Sequence, residues 1–365
     1  MMYVLIIGAG AIGSLIGHRL ARAGQEVTLV GRPSFVAAVQ ERGLGLEEST
    51  GRTYIRDVRV TSDVSDIVPS VTGGKTVEML PDLIVFTMKA YDTAEAARQI
   101  APLAMRGVPI LVVQNGVGGE ELAAQALENI PASILSAVIT LSVEIVEPGW
   151  VHLATTRGGI SLAPTTTLAG EPPPIAPYAE MFRRAGFRVA TFRDHRALKW
   201  SKLLLNMIGN ALPAIVGWSP DRVFADPRLF AMERQAFREA VTVMRASGMR
   251  PVALPGYPVP LLARGIYSLP ERVLRPLFQR FIVGSRGGKM PSLYLDLAHH
   301  KGKSEVAFLN GAVVRQGQAV GVETPVNQAL YTTLMDIVEG RTPWEAFRDH
   351  PEEILAVAGF REKGR

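Results

Sequence analysis

The chain has no cysteine among its 365 residues, which excludes disulfide frameworks, thiolate metal sites and thiol nucleophiles, so any catalysis must use other groups. It also lacks the roughly 20 uninterrupted apolar residues that a membrane span needs. The richest stretch, Leu203 to Val216, is interrupted by Asn206, Asn210 and Pro213. The first residues carry no basic segment, long apolar core or small-residue cleavage site, so no secretory signal is expected and a cytoplasmic location fits. Internal repeats and the catalytic strings of serine hydrolases and kinases are missing too. Charge is nearly balanced, with 39 basic against 34 acidic residues. A weakly basic surface of this kind suits small anions as readily as nucleic acid, and neither a nucleic-acid nor a membrane partner is expected.

What is present fits two domains, each large enough to bury its own core. The apolar run Val4 to Ile7 reads as a strand buried on both faces, Ser14 to Ala23 as a helix and Glu26 to Val30 as a second strand. Further strand signals at Leu83 to Thr87, Ile110 to Val113 and Ser133 to Ser142 alternate with helical stretches at Thr93 to Leu103 and Glu120 to Leu127. This alternation predicts an α/β fold whose N-terminal domain is a doubly wound, Rossmann-type parallel sheet. Strand signals stop beyond Asp194. His195 to Ile215, Arg228 to Ser247, Val259 to Val283, Ser292 to Gln318 and Pro325 to Glu339 read as helices, so the C-terminal domain is expected to be all-helical. The expected domains are 1–192 and 193–365, the latter with an insertion at about 250–290.

Between the first strand and helix stands Gly8-Ala9-Gly10-Ala11-Ile12-Gly13. In that context the string is a dinucleotide fingerprint: a tight turn at Gly8, backbone approach to a pyrophosphate at Gly10 and close helix–strand packing at Gly13. The second strand ends in Val30-Gly31-Arg32-Pro33-Ser34, with no carboxylate to accept bonds from a ribose 2′-hydroxyl. Arg32 and Ser34 instead suit a 2′-phosphate, which favours NADP, although Arg32 also has a reading as a solvated loop residue. Lys202, Asn206 and Asn210 follow one another at helical spacing among leucines, a polar stripe that fits a cleft. A ketone reductase needs a proton donor, and Lys202 is the first choice, with Lys199 and Lys89 as competitors.

Several strings occur in the order seen in ketopantoate reductases: the glycine loop, Thr87-Met88-Lys89-Ala90, Gln114-Asn115-Gly116-Val117-Gly118, Lys199-Trp200-Ser201-Lys202 through Asn206 and Asn210, and Ser304-Glu305 leading to Leu309-Asn310-Gly311. Over most of its length the chain thus resembles that family. The resemblance implies a Rossmann domain and a helical domain, with NADPH and a 2-oxo acid meeting in the cleft between them. It implies that Lys202 is the general acid and that Asn206 and Asn210 line the substrate site. Glu305 would bind the substrate hydroxyl and hold Lys202, and Ser292 would take the substrate carboxylate. Asn115 would lie near nicotinamide and substrate, while Lys89 and Arg32 would contact the cofactor. A homodimer is implied as well.

The chain departs from the family at Tyr91 and Asp92, where a tryptophan and a glutamine are usual, and at Ser304 and Ala307, where a threonine and an aspartate are usual. Additional residues near Ser62 to Leu80, within Arg250 to Lys289 and at the C-terminus leave two alternatives open: a reductase of another 2-oxo acid or ketone, and an NADP sensor without turnover. Arg250 to Lys289 holds seven basic residues and one acidic. An amphipathic basic segment of this kind serves as a lid or a membrane-surface helix, or packs on the domain or a twin subunit. His299 and His300 beside Asp296 show no third ligand spacing, so no metal is expected.

Overall fold

The computed structural model describes residues 1–68, 79–165, 173–286, 290–299 and 302–360, with 279–286 as backbone only. His300, parts of Ser62 to Leu80 and of the proline-rich turn at 171–177, and the side chains of Arg280, Phe281, Ile282 and Arg286 lie outside the described residues. The chain forms two compact units. One comprises Met1–Gln114, Gly118–Lys199 and Leu254–Tyr257; the other comprises Asn115–Val117, Trp200–Ala253 and Pro258–Arg365.

The first unit runs β1 (Tyr3–Ile7), α1 (Ala11–Arg22), β2 (Glu26–Val30), α2 (Pro33–Arg42), β3 (Leu44–Glu48), β4 (Gly51–Ile55), β5 (Arg59–Thr61), β6 (Leu83–Phe86), α3 (Thr93–Gln99), α4 (Ala101–Ala104), β7 (Ile110–Val112), α5 (Gly119–Ala126), β8 (Ile134–Ile139), β9 (Val143–Glu147), β10 (Trp150–Leu153), β11 (Ile160–Pro164), α6 (Ala176–Arg184) and β12 (Val189–Thr191). An eight-stranded sheet has the order β12-β11-β8-β7-β6-β1-β2-β5. Its pairings are parallel except that of β8 with β11. Successive residues of β1 and β6 enter different cores: Val4, Ile6, Leu83 and Val85 one, Leu5, Ile7, Ile84 and Phe86 the other. Burial on both faces is why these strands read as continuous apolar runs.

A second sheet, β4-β3-β10-β9, was not foreseen from the sequence. Its strands β4 and β9 leave most of their side chains in contact with solvent, so they carry no core alternation. Helix α1 packs against this sheet. His18 of α1 bonds the Thr53 hydroxyl of β4 at 3.1 Å, and Arg19 pairs with Glu48 at the end of β3.

Helix α7 (His195–Met207) begins in the first unit and continues into the second, which adds α8 (Ala211–Val216), α9 (Pro220–Ala225), α10 (Pro227–Ala246), α11 (Val259–Ser268), α12 (Glu271–Arg286), α13 (Ser292–Ala298), α14 (Asn310–Val320), α15 (Pro325–Val338) and α16 (Pro351–Val357). Three expected helices are broken. His195 to Ile215 is split because Gly209 takes φ +60°, and because Pro213, continued in the same helix, would clash with the Gly209 carbonyl. Pro270 separates α11 from α12. Ser292 to Gln318 is divided by Gly302 at φ +63° and by a 3-10 turn, Glu305–Phe308.

The long helix α10 starts at a cap in which Asp226 accepts from the backbone N–H groups of Arg228 and Leu229. Its Glu239, buried, accepts from the backbone N–H of Val326 (3.1 Å) and Asn327 (2.9 Å) and from Asn327 Nδ2 (2.7 Å). It thereby takes up donors that α15 leaves open at its first turn. Burial pushes the Glu239 carboxyl above its usual range despite those bonds.

Candidate active site

In the first unit, the chain turns sharply after β1. Gly8 and Ala9 both donate to Val30 O (3.1 and 3.0 Å), and Gly8 has φ +107°. A Cβ on Gly8 would lie 2.3 Å from Met88 N, and one on Gly13 would lie 2.2 Å from Gly8 O. Both positions therefore require glycine. Among the described residues nothing stands within 4 Å of where a Cβ on Gly10 would be, so the loop keeps open the space through which a pyrophosphate would approach the backbone. No side chain caps α1, and its first turn carries no acidic residue. Ala9, Ala11 and Ile12 complete this stretch, and the N–H groups of the first turn of α1 are the donors such a helix offers an anion. These residues fit a dinucleotide.

Arg32 sits just beyond β2 as the residue preceding α2; it is exposed and paired with no carboxylate among the described residues. Ser34 is exposed nearby, and Lys89, half-buried, follows β6. Gln114 ties this region together. Its Nε2 donates to Met88 O (3.1 Å) and Lys89 O (3.3 Å), and its Oε1 accepts from Thr93 Oγ1 (3.0 Å). Its backbone carbonyl accepts from Lys199 Nζ at 2.9 Å. The Lys199 ammonium, buried, also lies 3.0 Å from Glu120 Oε1, which accepts from Ser136 Oγ at 2.5 Å. Lys199, a competitor for the proton-donor role on sequence grounds, is thus engaged in an interior ion pair.

In the second unit, Lys202 is half-buried on α7 and Asn206 lies one turn further along. Asn206 Nδ2 donates to Asn115 Oδ1 at 3.1 Å. Asn210 does not extend the stripe as the same helix, since it precedes α8 with φ −123°. Its side chain nonetheless turns back: Nδ2 donates to Asn206 O (3.1 Å), while Oδ1 accepts from Leu293 N (3.3 Å). That bond brings the start of α13, with the exposed Ser292 as its first residue, beside the asparagines. Asn115 is followed by Gly116 at φ +88°, where a Cβ would lie 2.6 Å from that of Phe308. Val117 N donates to Phe308 O at 3.0 Å. Phe308 ends the 3-10 turn that the buried Glu305 begins, so this turn packs on the Asn115 loop.

Residues 4–166 match the family model described as ketopantoate reductase PanE/ApbA, and residues 194–338 match its C-terminal counterpart. A PanE/ApbA family ketopantoate reductase from Ralstonia eutropha JMP134, known from its crystal structure, is 30% identical with a TM-score of 0.73, over 93% of this chain and 99% of that one. The chain belongs to the ketopantoate reductase family. It is accordingly an oxidoreductase with a Rossmann-type fold. The 2-dehydropantoate 2-reductase of Pyrococcus horikoshii is 26% identical over 331 residues, covering 90% of this chain and 95% of that protein. The same fold occurs in a D-mandelate dehydrogenase solved with NADH and anilino(oxo)acetate, at 21% identity and a TM-score of 0.73, over 93% of this chain and 99% of that one. No helix among the described residues is long and apolar enough to cross a membrane.

Thr87 and Gln114, which stand in the quoted strings without an assigned role, and Glu120, which stands in none of them, have structural roles here. Thr87 Oγ1 donates to Gly8 O at 2.7 Å and so braces the glycine turn. For Glu120 the available signal was a carboxylate on a helix whose neighbouring strand, β8, is wholly apolar apart from Ser136.

Proposed function

We propose that the protein reduces 2-dehydropantoate to pantoate with NADPH, a step toward pantothenate and coenzyme A. The observation that carries this reading is the hydrogen-bonded run Asn115, Asn206 and Asn210 on and beside the helix that bears Lys202. Asparagine is a poor helix former, and a run of amide groups held in place, Asn206 by the Asn115 side chain and Asn210 by the Asn206 carbonyl, makes a surface able to orient a polar substrate. Family membership and the named 2-dehydropantoate 2-reductases support the substrate. A nicotinamide cofactor is supported by the glycine loop and by the NADH held in the D-mandelate dehydrogenase. The choice of NADPH over NADH rests on Arg32 and Ser34 and on the lack of a carboxylate after β2.

In this reading residues 1–192 bind the cofactor and residues 193–365 supply the catalytic groups, in a homodimer located in the cytoplasm. Bound NADPH supplies the hydride that reaches C2 of the substrate. Lys202 gives its proton to the C2 oxygen, and Glu305 keeps that ammonium charged and oriented and accepts a bond from the substrate hydroxyl. Ser292 donates to the substrate carboxylate, Asn206 and Asn210 line the substrate site, and Asn115 lies near both nicotinamide and substrate. Gly8, Gly10 and Gly13, with Ala9, Ala11 and Ile12, hold the pyrophosphate, while Lys89 and Arg32 meet other cofactor oxygens.

A second reading, reduction of a different 2-oxo acid or ketone, is favoured by the additional residues within Arg250 to Lys289. Loss of reduced-nicotinamide absorbance with 2-dehydropantoate, phenylglyoxylate and a panel of other 2-oxo acids, each with NADPH and NADH, separates the two. Turnover confined to 2-dehydropantoate and NADPH upholds the first reading. A different preferred acid transfers the function to the second, and cofactor binding without any turnover points to a sensor.

A further inference from the structure

We propose that Lys199 and Glu120 are positioning residues for the reduction: through the Gln114 carbonyl they set the orientation of Asn115. The inference rests on the reading above, in which Asn115 faces the reacting centre.

Burying two charges carries a large desolvation cost, and an apolar pair of similar volume often serves stability as well or better. Lys199 and Glu120 have side chains only 3% and 1% exposed, so what they do beyond stability has to be sought in what they hold. Lys199 Nζ donates to Gln114 O. Strand β7 ends at Val112, and the chain beyond it leaves the ladder in which carbonyls find their partners. A buried carbonyl without a donor is costly, and a lysine anchored by its own carboxylate supplies a fixed one. Glu120 is anchored in turn by the Ser136 hydroxyl.

Gln114 is clamped at both ends. Its side chain is bonded to the Met88 and Lys89 carbonyls and to Thr93, and its own carbonyl to Lys199. The next peptide leads to Asn115, which is held downstream by the contact of Gly116 and Val117 with Phe308. A rotation of the Gln114–Asn115 peptide would therefore appear as a displacement of the Asn115 side chain and strain its bond to Asn206. Lys199, Lys202 and Asn206 also recur at helical spacing on α7, which places them on one face. A single helix face thus presents the lysine that pins the peptide before Asn115, the proposed proton donor and the asparagine that bonds Asn115.

The test is a thermodynamic cycle between Lys199→Met/Glu120→Gln and Asn115→Ala, with kcat, KM and NADPH affinity measured for each protein. The expected result is a fall in kcat of about 10- to 100-fold, the scale of a misplacement near 1 Å, with NADPH affinity unchanged. In the Asn115→Ala background the same pair of changes should cost little more. Unaltered kcat, whatever happens to thermal stability, overturns the proposal, and so does a full additive loss on top of Asn115→Ala. Should the paired variant not fold, Glu120→Gln alone keeps the volume and the Ser136 bond and is judged by the same criteria. Amide hydrogen exchange across residues 114–117 provides a readout independent of turnover: faster exchange in the variant supports the clamp, and unchanged exchange overturns it. If the wild-type protein reduces no 2-oxo acid, the functional reading fails, and exchange alone still decides whether Lys199 and Glu120 fix this loop.

Discussion

The glycine loop after β1 and the asparagine cluster around α7 hold their functional groups in opposite ways. In the loop the work falls to the backbone: Gly8 and Gly13 are needed because a Cβ would strike Met88 N or Gly8 O, and α1 begins without a side-chain cap. In the cluster only Lys202 and Asn206 stand on regular helix, Asn210 lies at the break before α8 and Asn115 in a loop, and what matters is which amide or ammonium group each position projects. A backbone site and its fold cannot be altered separately, whereas a side-chain site can be emptied while the fold stays. The sharpest separation should come from Lys202. Lys202→Ala should lower kcat by about 10²- to 10⁴-fold, the usual contribution of a general acid, and leave the melting temperature and NADPH affinity close to wild type. If cofactor affinity collapses together with turnover, Lys202 is not the proton donor.

Gly13→Ala should do the reverse. The added methyl meets a backbone oxygen at 2.2 Å, so α1 must move away from β1, and α1 also carries the packing against the second sheet. A loss of roughly 1–3 kcal/mol in urea unfolding is expected for overpacking of this type, together with weakened NADPH binding. Stability and affinity should fall together. An alanine at position 13 that binds NADPH normally would break the contrast between the two regions.

How far each region is legible in the sequence follows from the same difference. Strand β2 runs from Glu26 to Val30 as expected, and the turn at Gly8 to Gly13 was readable, because burial on both faces and a glycine string leave local marks. The second sheet leaves few, since β4 exposes all of its residues but one and β9 buries none fully. Asn115, Asn206 and Asn210 stand out as candidate site residues, but the break at Gly209 is hidden inside an apolar run that reads as continuous helix. Glu120 and Gln114 escaped for another reason: their partners, Lys199 and Met88, are distant in the chain, and a long-range ion pair has no spacing to recognise.

A pH titration tests the backbone region through a group that takes no part in the chemistry. His18, wholly buried on α1, has its pKa lowered from 6.5 to about 4, chiefly by burial and then by the positive charge of Arg22. Between those values the unfolded chain binds a proton that the folded chain refuses, so stability is full above about pH 6.5 and falls as the pH drops toward 4. The loss should reach about 3 kcal/mol, at 1.36 kcal/mol per pKa unit. His18→Leu should flatten that part of the stability profile, read from urea midpoints at several pH values. An unchanged slope would assign the acid sensitivity to another group.

The smallest expected effect concerns Arg32, one of the side chains proposed to meet the cofactor beside the glycine loop. The guanidinium is exposed and carries no carboxylate partner among the described residues, so removing it strands no buried charge and should leave the melting temperature unchanged. What it would lose is a charge-assisted bond to a 2′-phosphate, about 1.5 kcal/mol or roughly tenfold in affinity. Arg32→Ala should therefore raise the Kd for NADPH about tenfold and leave the Kd for NADH alone, because NADH has no 2′-phosphate for the arginine to read. Equal changes for both cofactors would mean that Arg32 supports the loop and does not discriminate. No change for either would take Arg32 out of the case for NADPH and leave that preference on Ser34 and the missing carboxylate after β2.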